Sequence, residues 1–182
     1  MAIILACTIM LGRVALLVSA VNRELSDRLV PALATMCAPG LVYVGWRMIA
    51  HRKDPAHEPG APGGLSNPLS LKVGIKFALI YAGVILLSRA GADWFGAAGV
   101  RVVSFLSGLT DMDAIALSLA QTSGQGGVPS SLAAEGIVIG ALSNTLLKAG
   151  FAITGGAPAL RLPVVGVFLA TILIGLAWCH WF

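Results

Sequence analysis

Residues 100–120 read VRVVSFLSGLTDMDAIALSLA, and this stretch decides how the chain folds. Asp111 and Asp113 lie in the middle of an apolar run of about 20 residues, the length that a helix needs to cross a ~30 Å hydrocarbon core. Each charged side chain at the centre of such a helix costs roughly 2.5–3.5 kcal/mol on insertion scales. A segment with two of them must give them partners or water, so this pair is the first candidate for function.

The composition indicates a protein of the membrane rather than of the aqueous phase. Of the 182 residues, 57% are hydrophobic and 11% are charged, and the mean hydropathy is +0.89. Soluble domains carry about 25% charged residues. The net charge of +4 comes from basic residues at the ends of apolar blocks, not from a basic stripe interleaved with aromatics, so a nucleic-acid partner is not expected. The predicted partner is the lipid bilayer.

Six apolar blocks, separated by turn-forming and helix-breaking residues, predict an all-α polytopic membrane protein with about six transmembrane helices in a single domain, residues 1–182. Pro39 and Gly40 are expected to kink or unwind the second helix. An even number of spans would put both termini and the linker on one side, which we expect to be the cytoplasmic side of the membrane. The predicted spans are 2–21, 30–50, 69–90, 98–120, 131–154 and 162–182, with a flexible linker at 51–68.

The fourth span raises a geometric problem. Two residues that are two positions apart in a regular helix point roughly 200° away from each other at ~3.6 residues per turn. Asp111 and Asp113 can therefore face one cavity only if the helix unwinds, which Gly108 and Thr110 just before them would allow. Broken helices of this kind build ion sites in transporters. The alternative is one separate polar contact on each face.

The fifth span carries small and polar residues at every fourth position, on one face of the predicted helix: Gly136, Gly140, Asn144 and Lys148. Together with Gly108, the two glycines predict close packing between helices. Lys148 and Arg13 of the first span are the candidate counter-charges for Asp111 and Asp113. The four charges balance, which leaves open an alternative in which they form a neutral network that only fixes helix packing.

The leading functional hypothesis is a small transporter or channel-like protein in which Asp111 and Asp113 bind a cation or carry a proton. Thr110, Ser107 and Asn144 would add neutral oxygen ligands, and because oxygen ligands suit Mg²⁺, the two aspartates are also candidate metal ligands. The alternative is a structural or regulatory subunit that transports nothing and assembles with itself or with another membrane protein.

No cofactor and no enzymatic activity are expected. The sequence has no Gly-x-Ser-x-Gly motif, and its histidines lie at positions 51, 57 and 180, in the linker or near the end of the last span. The paired aspartates lie on one span, whereas an acid/base pair needs carboxyl groups that converge from separate parts of the backbone.

Residues 108–120 (GLTDMDAIALSLA) and 143–149 (SNTLLKA) in combination resemble an uncharacterised bacterial membrane domain, DUF4010, which usually follows an MgtC/SapB-type domain in longer proteins. The resemblance implies a polytopic inner-membrane protein with a loose association to magnesium or other cation homeostasis through the companion domain. This sequence contains no MgtC-like half. The resemblance brings no established catalytic residue, so the site residues rest on the physical interpretation.

Overall fold

A computed structural model describes residues 2–51, 96–155 and 158–182, and within these ranges the protein is helical and contains no strand. The all-α membrane architecture is therefore confirmed. Four of the helices are long and apolar enough to cross a bilayer. The predicted span at 69–90, and the linker at 51–68 apart from His51, lie outside the described residues. The helices are α1 (Ala2–Val21), α2 (Arg23–His51), α3 (Gly96–Thr110), α4 (Met112–Gly124), α5 (Ser130–Gly155) and α6 (Pro158–Trp181).

Helix α2 begins earlier than predicted and continues without interruption. The residues expected to form a polar link are helical from Arg23, because the side chain of Asn22 caps the helix by accepting a hydrogen bond from the amide of Leu25 at 3.1 Å. The expected unwinding at Pro39 and Gly40 does not occur, and both residues lie within the continuous helix. The adjacent Gly40 is packed so closely on Thr8 of α1 that no Cβ would fit between them.

Among the four long helices, α1 and α6 run in one direction and α2 and α5 run in the other. Antiparallel packing of α1 and α2 brings the hydroxyl oxygens of Ser19 and Ser26 to 2.6 Å. Helix α6 runs in the same direction as α1, because Phe168 packs with Ile4 in one buried cluster near the start of both helices. We call the end of the bundle where α1 passes into α2 the Asn22 end. Helices α1 and α6 finish toward that end, and α2 and α5 begin there.

Helix α3 runs in the same direction as α5. Its first half lies against the start of α5, where Ser104 touches Gly136, and its last turn lies further along α5, where Gly108 touches Ser143. The guanidinium of Arg101 also forms a bidentate ion pair with the carboxylate of Glu135. The start of α3 therefore lies toward the Asn22 end, and its last turn lies deep in the bundle.

Helix α4 also packs on α5, but it runs in the direction opposite to α3. Its first residue, Met112, touches Gly140, and Leu119 touches Gly136. At its end the Asn22 side chain donates a hydrogen bond to the carbonyl of Ala120 at 3.2 Å. Helices α3 and α4, about 22 Å and 20 Å long, thus form a hairpin that enters and leaves at the Asn22 end, with its tip inside the bundle.

This hairpin changes the expected topology. Residues 98–120 were predicted as one span, but the two helices that cover them turn back between Thr110 and Met112. The start of α1 and the finish of α6 lie at opposite ends of the described bundle, an arrangement that differs from the expected placement of both termini on one side. An apolar run of this length fits one straight crossing or two shorter helices equally well, and the turn decides between them.

The close contact of α3 with α5 predicts a sharp difference between two glycine substitutions. In Gly108→Ala the new Cβ would clash with the backbone of Gly140 and the hydroxyl of Ser143. We expect a loss of about 1–3 kcal/mol, which lowers the melting temperature of the purified protein by roughly 3–10 °C. Gly166→Ala in α6 is the control, because its Cβ would meet no atom within 4 Å. Equal melting temperatures for the two variants would contradict the packing described here.

Candidate functional site

The tip of the hairpin is Asp111, the one residue between α3 and α4. Its backbone is extended (φ −146°, ψ 110°), and its Oδ1 accepts hydrogen bonds from the amides of Asp113 at 2.9 Å and Ala114 at 3.4 Å. Aspartate is among the best residues at this capping position. The sequence predicted unwinding around Gly108, but that glycine remains helical, and the break lies three residues later, where a side chain can replace the missing backbone partners.

Asn144 of α5 hydrogen-bonds to the backbone of α3 just before the break. In an unbroken helix the carbonyl of Gly108 would accept from the amide of Met112. Here it accepts from Nδ2 of Asn144 at 2.8 Å. Asn144 is only 8% exposed, and its Oδ1 is buried with no hydrogen-bond partner among the described residues. The amide group therefore fixes the tip to α5 and retains one unused acceptor.

Asp113 forms an ion pair with Arg13 of α1. The contact joins Nη2 of Arg13 to Oδ2 of Asp113, and the side chains are 63% and 25% exposed. Oδ1 of Asp113 is buried and has no partner in the described part of the chain. A partly open ion pair with an unsatisfied carboxylate oxygen differs from a closed structural salt bridge, in which both oxygens would be bonded.

Lys148, the other predicted counter-charge, has a sulfur atom as its hydrogen-bond partner. Its Nζ donates to the thioether sulfur of Met10 at 3.0 Å, which is a weak acceptor. Over the described residues no ion pair joins Lys148 to Asp111. Both residues line the same cleft, however, so the ammonium remains close to the acidic tip.

The polar groups meet in a cleft of about 500 Å³ between α1, the hairpin tip and α5. Four of the five predicted ion-binding residues line it, together with both predicted counter-charges. Ser107 does not line it, and its carbonyl instead accepts from the amide of the tip residue at 2.8 Å. The lining consists of Ala6, Ile9, Met10, Arg13, Thr110, Asp111, Met112, Asp113, Asn144 and Lys148.

The length of α4 predicts that the cleft lies at mid-depth in a bilayer. Asp113 precedes the end of α4, Gly124, by 11 residues, which is about 16 Å along a helix and half of a ~30 Å hydrocarbon core. The predicted packing glycines lie behind it: Gly136 and Gly140 of α5 contact both arms of the hairpin. Within the described ranges no group of three or more His, Cys, Asp or Glu side chains could hold a metal ion.

Comparison with known proteins gives the family. Residues 1–156 match the family model described as Domain of unknown function (DUF4010). The chain belongs to this family. It is also 39% identical over 117 residues, or 64% of its length, to an uncharacterized protein of Aquifex aeolicus (strain VF5), of whose length the match covers 51%. No solved structure matches this DUF4010 chain, and the association with an MgtC/SapB-type domain stays a prediction.

One polar contact of this DUF4010 protein was missed from the sequence. Arg101 and Glu135 join through Nε to Oε1 at 2.8 Å and Nη2 to Oε2 at 3.0 Å, and so connect α3 to α5. A straight crossing of residues 98–120 would have placed these two charges at opposite faces of the membrane. Arg101 and Glu135 carry opposite charges and lie in neighbouring apolar blocks. An ion pair between them is possible only if the chain turns back, so this pair of charges was the signal in the sequence for a hairpin.

The ion pair between α1 and the hairpin predicts energetic coupling. Arg13→Gln and Asp113→Asn should each lower the melting temperature, because each leaves one charge without its partner at mid-depth. The single reversals Arg13→Asp and Asp113→Arg should also lower the melting temperature, and their combination should recover part of that loss, with a coupling of about 1 kcal/mol in a double-mutant cycle.

The matched control for that cycle is Arg13→Asp combined with Glu135→Arg. These residues belong to two different ion pairs, so this combination should show no rescue. Strictly additive effects in the exchanged pair would contradict the Arg13 to Asp113 contact.

Proposed function

We propose that this DUF4010 protein handles a cation or a proton in the bacterial inner membrane, through the cleft at the tip of the α3–α4 hairpin. The observation that supports this most strongly is the position of Asp113: a carboxylate at mid-depth, on a broken helix, with one oxygen paired to Arg13 and the other unpartnered in the described chain. Sites near the midplane that are built on interrupted helices are a recurring solution in transporters.

The two aspartates have different roles in this proposal. Asp111 holds the start of α4 through the two backbone amides that it accepts from, so it maintains the shape of the tip. Asp113 is the exchanging group, because only its Oδ2 is paired, with Arg13, and its Oδ1 has no partner among the described residues. A cation that binds Asp113, or a proton that neutralises it, removes the attraction for Arg13. Occupancy of the site is thereby coupled to the contact between α1 and the hairpin.

The rival function is a structural or regulatory subunit that transports nothing. The two ion pairs, Arg13 with Asp113 and Arg101 with Glu135, favour this reading because each charge is neutralised inside the protein. Two features favour the exchanging site: the exposure of Arg13, and the unsatisfied oxygens of Asp113 and Asn144. Polar networks that only fix packing are stable when every member is bonded.

Reconstitution into liposomes tests the proposal, with fluxes of H⁺, Na⁺, K⁺ and Mg²⁺ measured separately. Asp113→Asn should reduce the active flux by at least about tenfold, since the exchanging charge is lost. Asp111→Asn should reduce it less, because asparagine also caps helices. Glu135→Gln is the matched control, an acid of another ion pair that does not line the cleft.

Two outcomes would contradict the proposal. One is a cation flux that Asp113→Asn leaves unchanged. The other is an equal loss of flux in Asp113→Asn and Glu135→Gln, which would indicate damage to the bundle in place of loss of a site. An inactive protein that copurifies with a stoichiometric membrane partner would favour the rival function.

A further inference from the structure

We propose that the cation handled at this cleft is the ammonium group of a small zwitterion, a molecule that carries an ammonium and a carboxylate a few ångströms apart, as an α-amino acid does. This inference rests on the proposed function and names the substrate class for the same site. It is carried by the charge balance of the lining, by its unused hydrogen-bonding groups and by its size.

The charges that line the cleft cancel. Asp111 and Asp113 contribute −2, and Arg13 and Lys148 contribute +2, so the sum is zero. A bare cation that took Oδ2 of Asp113 would leave Arg13 without its counter-ion at mid-depth, where an unpaired charge is costly. A zwitterion avoids this cost, because its ammonium replaces Arg13 on Asp113 while its carboxylate accepts from the displaced guanidinium.

The hydrogen-bonding groups match the two ends of such a molecule. Oδ1 of Asp113 and Oδ1 of the 8% exposed Asn144 are buried acceptors with no partner among the described residues. An ammonium brings three donors, and in this proposal it reaches these oxygens when it displaces Arg13 from Asp113. Lys148 bonds a thioether sulfur. A carboxylate would be a far better partner for it, since hydrogen bonds between ionised groups are among the strongest in proteins.

The size also fits. The cleft volume of about 500 Å³ lies within the roughly 300–1,000 Å³ of small-molecule sites, whereas one water occupies about 30 Å³. A dehydrated inorganic ion would leave most of the cleft to be filled with solvent. Ala6, Ile9 and Met112 supply an apolar wall, so a small aliphatic substituent on the zwitterion would be accommodated.

The experiment measures binding to the full chain, purified in detergent, with four probes: L-alanine, ethylamine, sodium propionate and magnesium chloride. Ethylamine carries only the positive end and propionate only the negative end. Calorimetry should show L-alanine binding at least tenfold more tightly than any of the other three, and L-alanine alone should raise the melting temperature. Ethylamine or Mg²⁺ that bound as tightly as L-alanine would overturn the proposal, and so would the absence of L-alanine binding.

Substitutions then test which residue binds the ammonium end of the zwitterion and which binds its carboxylate end. Asp113→Asn and Lys148→Met should each weaken L-alanine binding at least tenfold, while Glu135→Gln, outside the cleft, should leave it unchanged. The comparison of probes on the unaltered protein does not depend on how well any variant folds.

The two proposals fail separately. If an inorganic cation or proton flux depends on Asp113 but L-alanine does not bind, the zwitterion proposal is overturned and the proposed function stands. If Asp113→Asn changes neither flux nor binding of any probe, both are overturned.

Discussion

A backbone carbonyl that loses its helical partner inside a bilayer must find another donor, and the structure depends on how this chain meets that requirement. Asp111 interrupts the helix, and Asn144 donates to the freed carbonyl of Gly108 at 2.8 Å. Without this bond the break would leave an unsatisfied polar group in hydrocarbon, which costs several kcal/mol. With it, the chain can turn back at mid-depth and place both ends of the hairpin at the Asn22 end.

The arrangement of charges follows from that turn. Because α4 starts afresh at Met112, Asp113 points toward α1 and meets Arg13, while the side chain of Asp111 is held by the backbone of α4. A continuous helix would have sent the two carboxylates to opposite faces. The small residues Gly108 and Gly140 let both arms approach α5 closely enough for the asparagine to reach the tip. Packing, capping and ion pairing at the site are thus mutually dependent.

Much of the fold could be predicted from the amino-acid sequence, because hydrophobic length determines which segments can cross a bilayer. The bounds of α1 agree with the predicted span, and those of α5 differ by one residue at each end. Helix α2 started earlier than expected because Asn22, at the end of the preceding apolar block, acts as a cap. The path of residues 98–120 could not be predicted, since an apolar run indicates burial but not whether the chain crosses or returns.

The sequence predicted which residues line the site but not which of them form ion pairs. Charges in apolar segments are conspicuous, and Arg13, Asp111, Asp113, Asn144 and Lys148 do line one cleft. The sequence predicts Lys148 and Arg13 as counter-charges for the two aspartates without deciding the pairs, and the structure pairs Arg13 with Asp113 and Arg101 with Glu135. Only the position of the break decides which carboxylate caps a helix and which one is available for exchange.

The most direct test of the hairpin is a distance between spin labels at Ala97→Cys and Gln125→Cys, with the three native cysteines replaced, in a lipid bilayer. Because both arms pack on the first half of α5 and packed helices lie about 8–10 Å apart, we expect a pulsed-EPR distance of about 15–25 Å. A straight helix over these 28 residue steps would give about 42 Å, and such a distance would contradict the account.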